Sequence, residues 1–370
     1  RRSSDLLNYR DRKHPAAGGA ERHLHAIFSR LVQKGHKVVL LTTSFPNALE
    51  REVVDGIEVV RRGGDLLFQW TVAKELKKLD KEFDFDIIYE DLNKLPLFTP
   101  YLSKKPHLIQ IHHLWKRSIF AEASFPVAFG VWFFERLIPL FYKRSPFVVV
   151  SPSTKKELAS IGISENRISL IYNGADGNFV TSPKEKENYF LWLSRVHRYK
   201  GIWVALKAFQ QFVKKHPEAR LKIAGDGPLL KKIPGVLKKW ELENSVSLEG
   251  YVSGEKKREL LMQAVALLQT SEKEGWGLTV IEAAECGTTT IASAVPGLVD
   301  SVQNEKTGLL FPHRDEFACA ECMERLWQNN DYRKQLEKSA LAYASEFSWD
   351  RAAKETEILL QKLVDSSRIL

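Results

Sequence analysis

Ser271-Glu272-Lys273-Glu274-Gly275-Trp276-Gly277-Leu278-Thr279-Val280-Ile281-Glu282-Ala283-Ala284-Glu285-Cys286-Gly287 begins where the apolar run Ala264-Val265-Ala266-Leu267-Leu268-Gln269-Thr270 ends. The short apolar run reads as a buried strand, the glycines at 275 and 277 as a turn, and the segment from Leu278 to Cys286 as a helix. Glycine lets backbone N–H groups approach a ligand closely, and a new helix aims its positive end at that ligand. A strand, a glycine turn and a helix in this order make a ready anion site. Glu274 falls in the loop and Glu282 on the helix, separated by seven residues. Taken alone, such glutamates more often face solvent.

The same alternation extends in both directions. YFLWLS, ARLKIAG, SVSLEG, AVALLQTS and TTIASA read as strands of a second half, with GIWVALKAFQQFVKKH as a helix between the first two. In the first half DLLNY, HKVVLLTTS, DIIYED, HLIQIHH and FVVVS read as strands, and AERHLHAIFSRLVQKG is a helix ending at Gly35. The polar stretch VTSPKEKEN, with Pro183, reads as a joint between the halves. Strands alternating with helices predict an α/β fold of two Rossmann-like parallel-sheet domains facing a central cleft, with ligands met by loops after the strands. The expected division is 1–180, 181–348, and a last helix over 349–370 that packs elsewhere. A chain of 370 residues is large enough for two cores.

Net charge is +9, and it is uneven: residues 1–180 hold 27 Lys+Arg against 20 Asp+Glu, an excess of 7, which leaves 2 for the remainder. The first half is thus expected to meet something anionic, such as phosphate, lipid head groups or nucleic acid. Three cysteines, Cys286, Cys319 and Cys322, are the sparse usage of a reducing compartment, and FACAECMERLWQ reads as an amphipathic helix, not a redox or zinc pair. No signal-peptide pattern and no apolar run of spanning length is present, so a cytoplasmic location is expected. The chain starts at Arg1, and an initiator is expected to precede it.

Further clusters bear on chemistry. SRVHRYKG places Arg195 and Lys200 after the first strand of the second half, where two fixed cations neutralise a departing diphosphate without a metal. A solvated basic loop is the ordinary alternative. Gly225-Asp226-Gly227-Pro228 is another strand-to-loop turn. In the first half Gly18 and Gly19 form a turn that presents N–H groups to phosphate or an acceptor, but the G-x-G-x-x-G pattern of dinucleotide enzymes is absent. His112-His113 ends a strand, and no third nearby ligand suggests zinc. FPVAFGVWFFERLIPLFYKR, 125–144, is rich in aromatics with basic ends; it suits either a bilayer surface or a helix pair packed in the domain.

In order and spacing, AGGAE at 17–21, HH at 112–113, VSPSTKKEL at 150–158, IYNGAD at 171–176, SRVHRYKG at 194–201, IAGDGP at 223–228 and EGWGLTVIEAAECG at 274–287 resemble family 4 of the retaining glycosyltransferases, with the GT-B architecture. The resemblance runs through almost the whole chain and implies that the last helix, 349–370, crosses back to the N-terminal domain. It implies that Glu274 contacts the donor sugar and Glu282 the ribose, while Arg195 and Lys200 hold the diphosphate. It further implies that Gly19 lies near phosphate or acceptor, that His112 contacts the sugar near the reacting face, and that backbone near Gly250 and Tyr251 meets the base. Gly275, Trp276, Gly277 and Leu278 belong to the same donor loop. Ser194 stands where many relatives have glycine, TTTIAS replaces a threonine-proline run, and His113 stands where relatives often have aspartate.

The expected activity is retaining, metal-independent transfer of a hexose from a UDP- or GDP-linked donor to a hydroxyl of a glycan or lipid-linked acceptor. No cofactor is expected beyond the nucleotide sugar, and peripheral membrane contact is the expected site of work. The rival readings are a nicotinamide-dependent oxidoreductase, disfavoured by the missing glycine pattern, and a nucleic-acid-binding protein, disfavoured by the lack of a binding module.

Overall fold

Strands that are apolar along their whole length are buried on both faces, and both halves of this chain show it. A computed structural model describes residues 3–64, 68–93, 95–177, 179–180 and 185–368. Pro183 and most of the polar joint lie outside the described residues. The chain divides into two compact units, one of Arg1–Lys116, Pro126–Gly174 and Trp349–Leu370, the other of Arg117–Phe125 and Ala175–Ser348.

In the first unit the strands β1 (Ser3–Leu7), β2 (Lys37–Thr42), β3 (Arg51–Val54), β4 (Ile57–Arg61), β5 (Ile87–Asp91), β6 (His107–Ile111), β7 (Phe147–Val149) and β8 (Ile168–Leu170) form one sheet in the order β3-β4-β2-β1-β5-β6-β7-β8. All neighbours are parallel except the hairpin β3-β4. That hairpin turns at Asp55-Gly56, both with positive φ, a two-residue turn signal that the sequence displays. Helices α1 (Gly19–Gln33), α2 (Phe68–Phe83), α3 (Thr99–Leu102), α4 (Phe125–Phe141) and α5 (Pro152–Ser160) complete the alternation. The stretch 125–144 is therefore one helix and a short tail, not a helix pair, and its inner stripe is Ala128, Val131, Glu135 and Ile138.

In the second unit β9 (Tyr189–Leu193), β10 (Arg220–Ala224), β11 (Val246–Gly250), β12 (Leu267–Gln269), β13 (Thr290–Ser293) and β14 (Gly308–Phe311) form a fully parallel sheet, β11-β10-β9-β12-β13-β14. Along β9, Phe190 and Trp192 enter one core, while Tyr189, Leu191 and Leu193 enter another on the opposite face. Successive side chains of a strand point to opposite faces, so two packed layers of helices are required. Helices α6 (Ile202–Val213), α7 (Ile233–Lys239), α8 (Gly254–Gln263), α9 (Leu278–Glu285), α10 (Leu298–Ser301), α11 (Glu316–Gln328) and α12 (Asn330–Ala344) supply them. Cys319 and Cys322 are buried, free thiols on α11.

The last helix, α13 (Trp349–Ser367), packs on α1 of the first unit. Arg30 reaches Asp350 at 2.6 Å, and Lys34 reaches Glu357 at 2.5 Å. The break in the chain falls after Gly174, earlier than the polar joint that marks it in sequence, and Arg117–Phe125 groups with the second unit despite lying between β6 and α4.

At the carboxyl ends of β9, β10 and β12 the backbone leaves no room for side chains. A Cβ on Gly201 (φ +70°) would stand 1.9 Å from the Thr270 carbonyl oxygen, and one on Gly225 (φ +140°) 1.9 Å from that of Ser194. Gly235, in α7, has open space. Gly201→Ala should lower stability by about 2 kcal/mol or more, through strain and displacement, whereas Gly235→Ala should raise it by about 0.5–1 kcal/mol. Urea unfolding of both variants checks this, and equal effects would refute the close approach at Gly201.

Candidate active site

The chemistry-bearing side chains of the second unit are held by its strand-end loops. Thr270, just past β12, accepts the indole N–H of Trp192 at 3.1 Å and donates to the Gly201 carbonyl at 2.8 Å. This fixes the Arg198–Lys200 turn beside Ser271–Gly275. Lys200 Nζ then stands 2.5 Å from Glu274 Oε1, which also accepts from the Ser271 hydroxyl at 2.8 Å. Arg195 donates to the Tyr199 hydroxyl at 2.6 Å, and the Lys200 ammonium lies 5.0 Å from the Tyr199 ring centre. Arg195, Lys200 and Glu274 are thus linked in one cluster through Tyr199.

Glu122, from the stretch that groups with this unit, accepts the Tyr199 backbone N–H at 2.5 Å and stands 3.5 Å from His197 Nδ1. Burial, then the Arg195 charge, holds His197 below its ordinary value, toward the neutral ring. Glu122 carries no sequence signal, because it is distant in sequence and joins the loop only through the fold.

The remaining donor-loop residues take distinct positions. Gly277, with φ +91°, caps α9, so Leu278 opens the helix. The Gly297 backbone closes on Glu274 and Gly275, leaving a Cβ only 2.4 Å from the Glu274 carbonyl. The Trp276 ring is buried and meets Phe347 edge-on at 5.1 Å. What Trp276 offers outward is backbone. Glu282, farther along α9, pairs with Lys257 of α8 at 2.8 Å. Gly250 ends β11 with φ +65° and accepts the Gly225 N–H at 2.7 Å, while the Tyr251 side chain is exposed.

His112 and Gly19 belong to the first unit. Gly19 opens α1, and the preceding Gly18 N–H donates to the Glu21 carboxylate at 2.6 Å. His112, just past β6, places Nε2 3.2 Å from the buried Asp91 carboxylate at the end of β5. Its ring meets His23 edge-on at 4.9 Å, and His23 Nδ1 is 2.6 Å from Asn173 Oδ1. Burial opposes charge on His112, but Asp91 overrides it and raises the group above its ordinary value. Burial first, then the His112 charge, pushes His23 down to about 3. One ring is therefore held toward the cationic form and its neighbour neutral. Asp91 ends a strand that the sequence displays plainly, and Asn173 lies in the IYNGAD motif, which are the signals for them; His23 gives none.

Two family models match the chain. "Glycosyltransferase Family 4" matches residues 17–179, and "Glycosyl transferases group 1" matches residues 177–342. The chain is 24% identical to an uncharacterized glycosyltransferase of Methanocaldococcus jannaschii, over 92% of this chain and 93% of that protein. It is 23% identical to the phosphatidylinositol N-acetylglucosaminyltransferase gpi3 subunit of Schizosaccharomyces pombe, over 96% of this chain and 80% of that one. Among solved structures, sucrose-phosphate synthase from Thermosynechococcus elongatus superposes with a TM-score of 0.84 at 21% identity, covering 99% of this chain and all of that one. Anabaena HepE in complex with UDP and glucose superposes with a TM-score of 0.79 at 18% identity, covering 98% and 100%. Both likenesses are to GT-B folds.

The buried histidines carry a pH signature. His23 resists in the folded state a proton that it takes up at about 6.5 when unfolded. Its stabilising contribution is complete above that value and is lost as pH falls toward 3; that of His112, with a raised value, runs the opposite way and is lost as pH rises. From pH 7 to pH 5 the wild type should lose about 2 kcal/mol more than His23→Asn. Urea titrations at the two pH values measure the difference. Equal losses would show that His23 titrates freely.

Proposed function

We propose that this chain, which belongs to the group 1, family 4 glycosyltransferases of GT-B fold, moves a hexose with retention from a UDP- or GDP-linked donor to a hydroxyl of a glycan or lipid-linked acceptor. The observation that carries the reading is the Lys200–Glu274 contact, linked through Tyr199 to Arg195. An ammonium and a guanidinium joined through one tyrosine fit a diphosphate, and the carboxylate held by the ammonium fits sugar hydroxyls.

In this reading Glu274 holds the donor sugar, Glu282 the ribose, and backbone at Gly250 and Tyr251 the base. Gly275, Trp276, Gly277 and Leu278 offer backbone to the donor, with the α9 start aimed at its phosphates. Gly19 serves the phosphate or acceptor and His112 the sugar near the reacting face, where the cationic tendency of His112 beside Asp91 suits an oxygen-rich partner. The bond from the anomeric carbon to the leaving phosphate oxygen breaks, and the acceptor oxygen bonds that carbon on the same face. The acceptor proton passes to the departing phosphate oxygen. Glu274 serves as a sugar ligand, not as a covalent nucleophile.

Charge developing on the leaving group is what Arg195 and Lys200 stabilise, so no metal enters the proposal. The reading also puts the chain in the cytoplasm with peripheral contact to a membrane, and gives it no nucleic-acid partner.

Lys200→Ala should lower kcat roughly 100-fold to 1000-fold, the usual loss for one well-aimed donor, with little change in melting temperature. Undiminished transfer by this variant would reject the role of Lys200. Turnover on a panel of UDP- and GDP-sugars should also be unaffected by EDTA. A large loss in EDTA that manganese or magnesium restores would overturn the metal-free reading.

A further inference from the structure

Helix α4 is apolar on both sides, although only one of them is buried. Its inner stripe, Ala128, Val131, Glu135 and Ile138, contains a carboxylate, while the opposite stripe contains Phe125, Phe129, Phe133 and Leu140. These four are 71%, 47%, 44% and 49% exposed. The spacing of four, four and seven residues keeps them on one helical face. Phe129 and Phe133 stack on one another with ring centres 6.1 Å apart, and Trp132 joins Phe129 at 5.8 Å. Scattered exposed apolar residues need no explanation, but a contiguous aromatic stripe marks an interaction surface.

Within residues 125–144 the exposed charges have one sign. Arg136 lies between Phe133 and Leu140, its guanidinium 4.3 Å from the Trp132 ring centre, and Lys143 and Arg144 follow the helix, all three exposed. Glu135 is the only acidic residue from Phe125 to Arg144. It is turned inward, where its two oxygens accept the Trp115 and Lys116 N–H groups at 2.5 and 2.7 Å. At the carboxyl end of the helix, Arg167 donates to the Tyr142 and Ser145 carbonyls at 3.0 and 3.3 Å. No described helix is long and apolar enough to cross a membrane.

We propose that the exposed face of α4 is an interfacial membrane anchor, lying in the plane of an anionic bilayer with Phe129, Phe133 and Leu140 among the acyl chains and Arg136, Lys143 and Arg144 among the head groups. Aromatic and aliphatic side chains on one face with flanking cations are the composition of such helices. Charge complementarity selects anionic lipid over neutral lipid, each cation near the surface adding to the attraction. The inference deepens the membrane contact named in the proposed function and rests on it for its purpose, to hold the acceptor-side unit against a lipid surface.

Flotation of the full chain with phosphatidylcholine vesicles, with and without phosphatidylglycerol, tests it. The wild type should float with the anionic vesicles and stay behind with the neutral ones. Arg136→Gln with Lys143→Gln and Arg144→Gln should weaken partitioning roughly 100-fold. Phe129→Ser with Phe133→Ser should weaken it at least about tenfold. All substituted positions are exposed, and donor-sugar hydrolysis and melting temperature, measured on the same samples, should be unchanged. A wild type that stays behind with anionic vesicles, or floats equally with neutral ones, overturns the anchor. So does a dimer in sedimentation that Phe129→Ser with Phe133→Ser makes monomeric, which would assign the face to a second copy. Flotation as described together with no binding of UDP or GDP in calorimetry would sink the transferase reading and leave the anchor standing.

Discussion

The Thr270 hydroxyl, bonded to both Trp192 and the Gly201 carbonyl, is the constraint on which the donor-side chemistry depends. It ties a core indole to the turn that carries Lys200. A lysine on a free loop would spread its four-carbon stem over many rotamers and hold no fixed charge. Here the turn that carries it cannot move away from β12 without breaking a buried hydrogen bond, and cannot move closer because Gly201 is already against the Thr270 carbonyl. Glu274 is fixed from the other side by the Gly297 backbone and the Ser271 hydroxyl. The pair is therefore preorganised by backbone, and the cost of ordering it is met in folding and not at each turnover.

The first unit uses burial in place of close backbone contact. Asp91, Glu21, His23 and His112 crowd the strand ends, and their charges are mutually dependent. Removing water raises the cost of every charge, so a compact set of acids and imidazoles settles into few protonation patterns. Asp91 raises His112 toward the cationic form, and burial, then the charge on His112, keeps His23 neutral. The Asn173 bond then fixes the orientation of a ring that no longer titrates in the neutral range.

Much of this was legible in the sequence, and the reasons are specific. Doubly buried strands announce themselves as apolar runs, so YFLWLS and HKVVLLTTS lead directly to two Rossmann-like units, as the superposed structures bear out. The hairpin β3-β4 carries its Asp-Gly signal openly, but at an edge where amphipathic strands are short. β8 and β14 are short edge strands and leave little pattern. Pairs close in space and far in sequence were the unreadable part. Glu122 meets Tyr199 across 77 residues, and Lys257 meets Glu282 across 25. No periodicity encodes them, because only the assembled loops bring their atoms together.

The aromatic stretch from 125 to 144 shows how burial resolves what composition leaves open. Phenylalanine and tryptophan suit a core as well as a lipid surface, so their number decides nothing. The decision lies in Glu135. Two backbone N–H groups, of Trp115 and Lys116, need an acceptor where the chain leaves β6, and Glu135 supplies both from α4. A carboxylate so engaged cannot rotate outward without giving up both hydrogen bonds, at a cost of about 1–3 kcal/mol each. The rotational setting of α4 is thus fixed by a polar contact on its inner side. Phe129, Phe133 and Leu140 are exposed as its consequence, on the face opposite the one residue that must point inward.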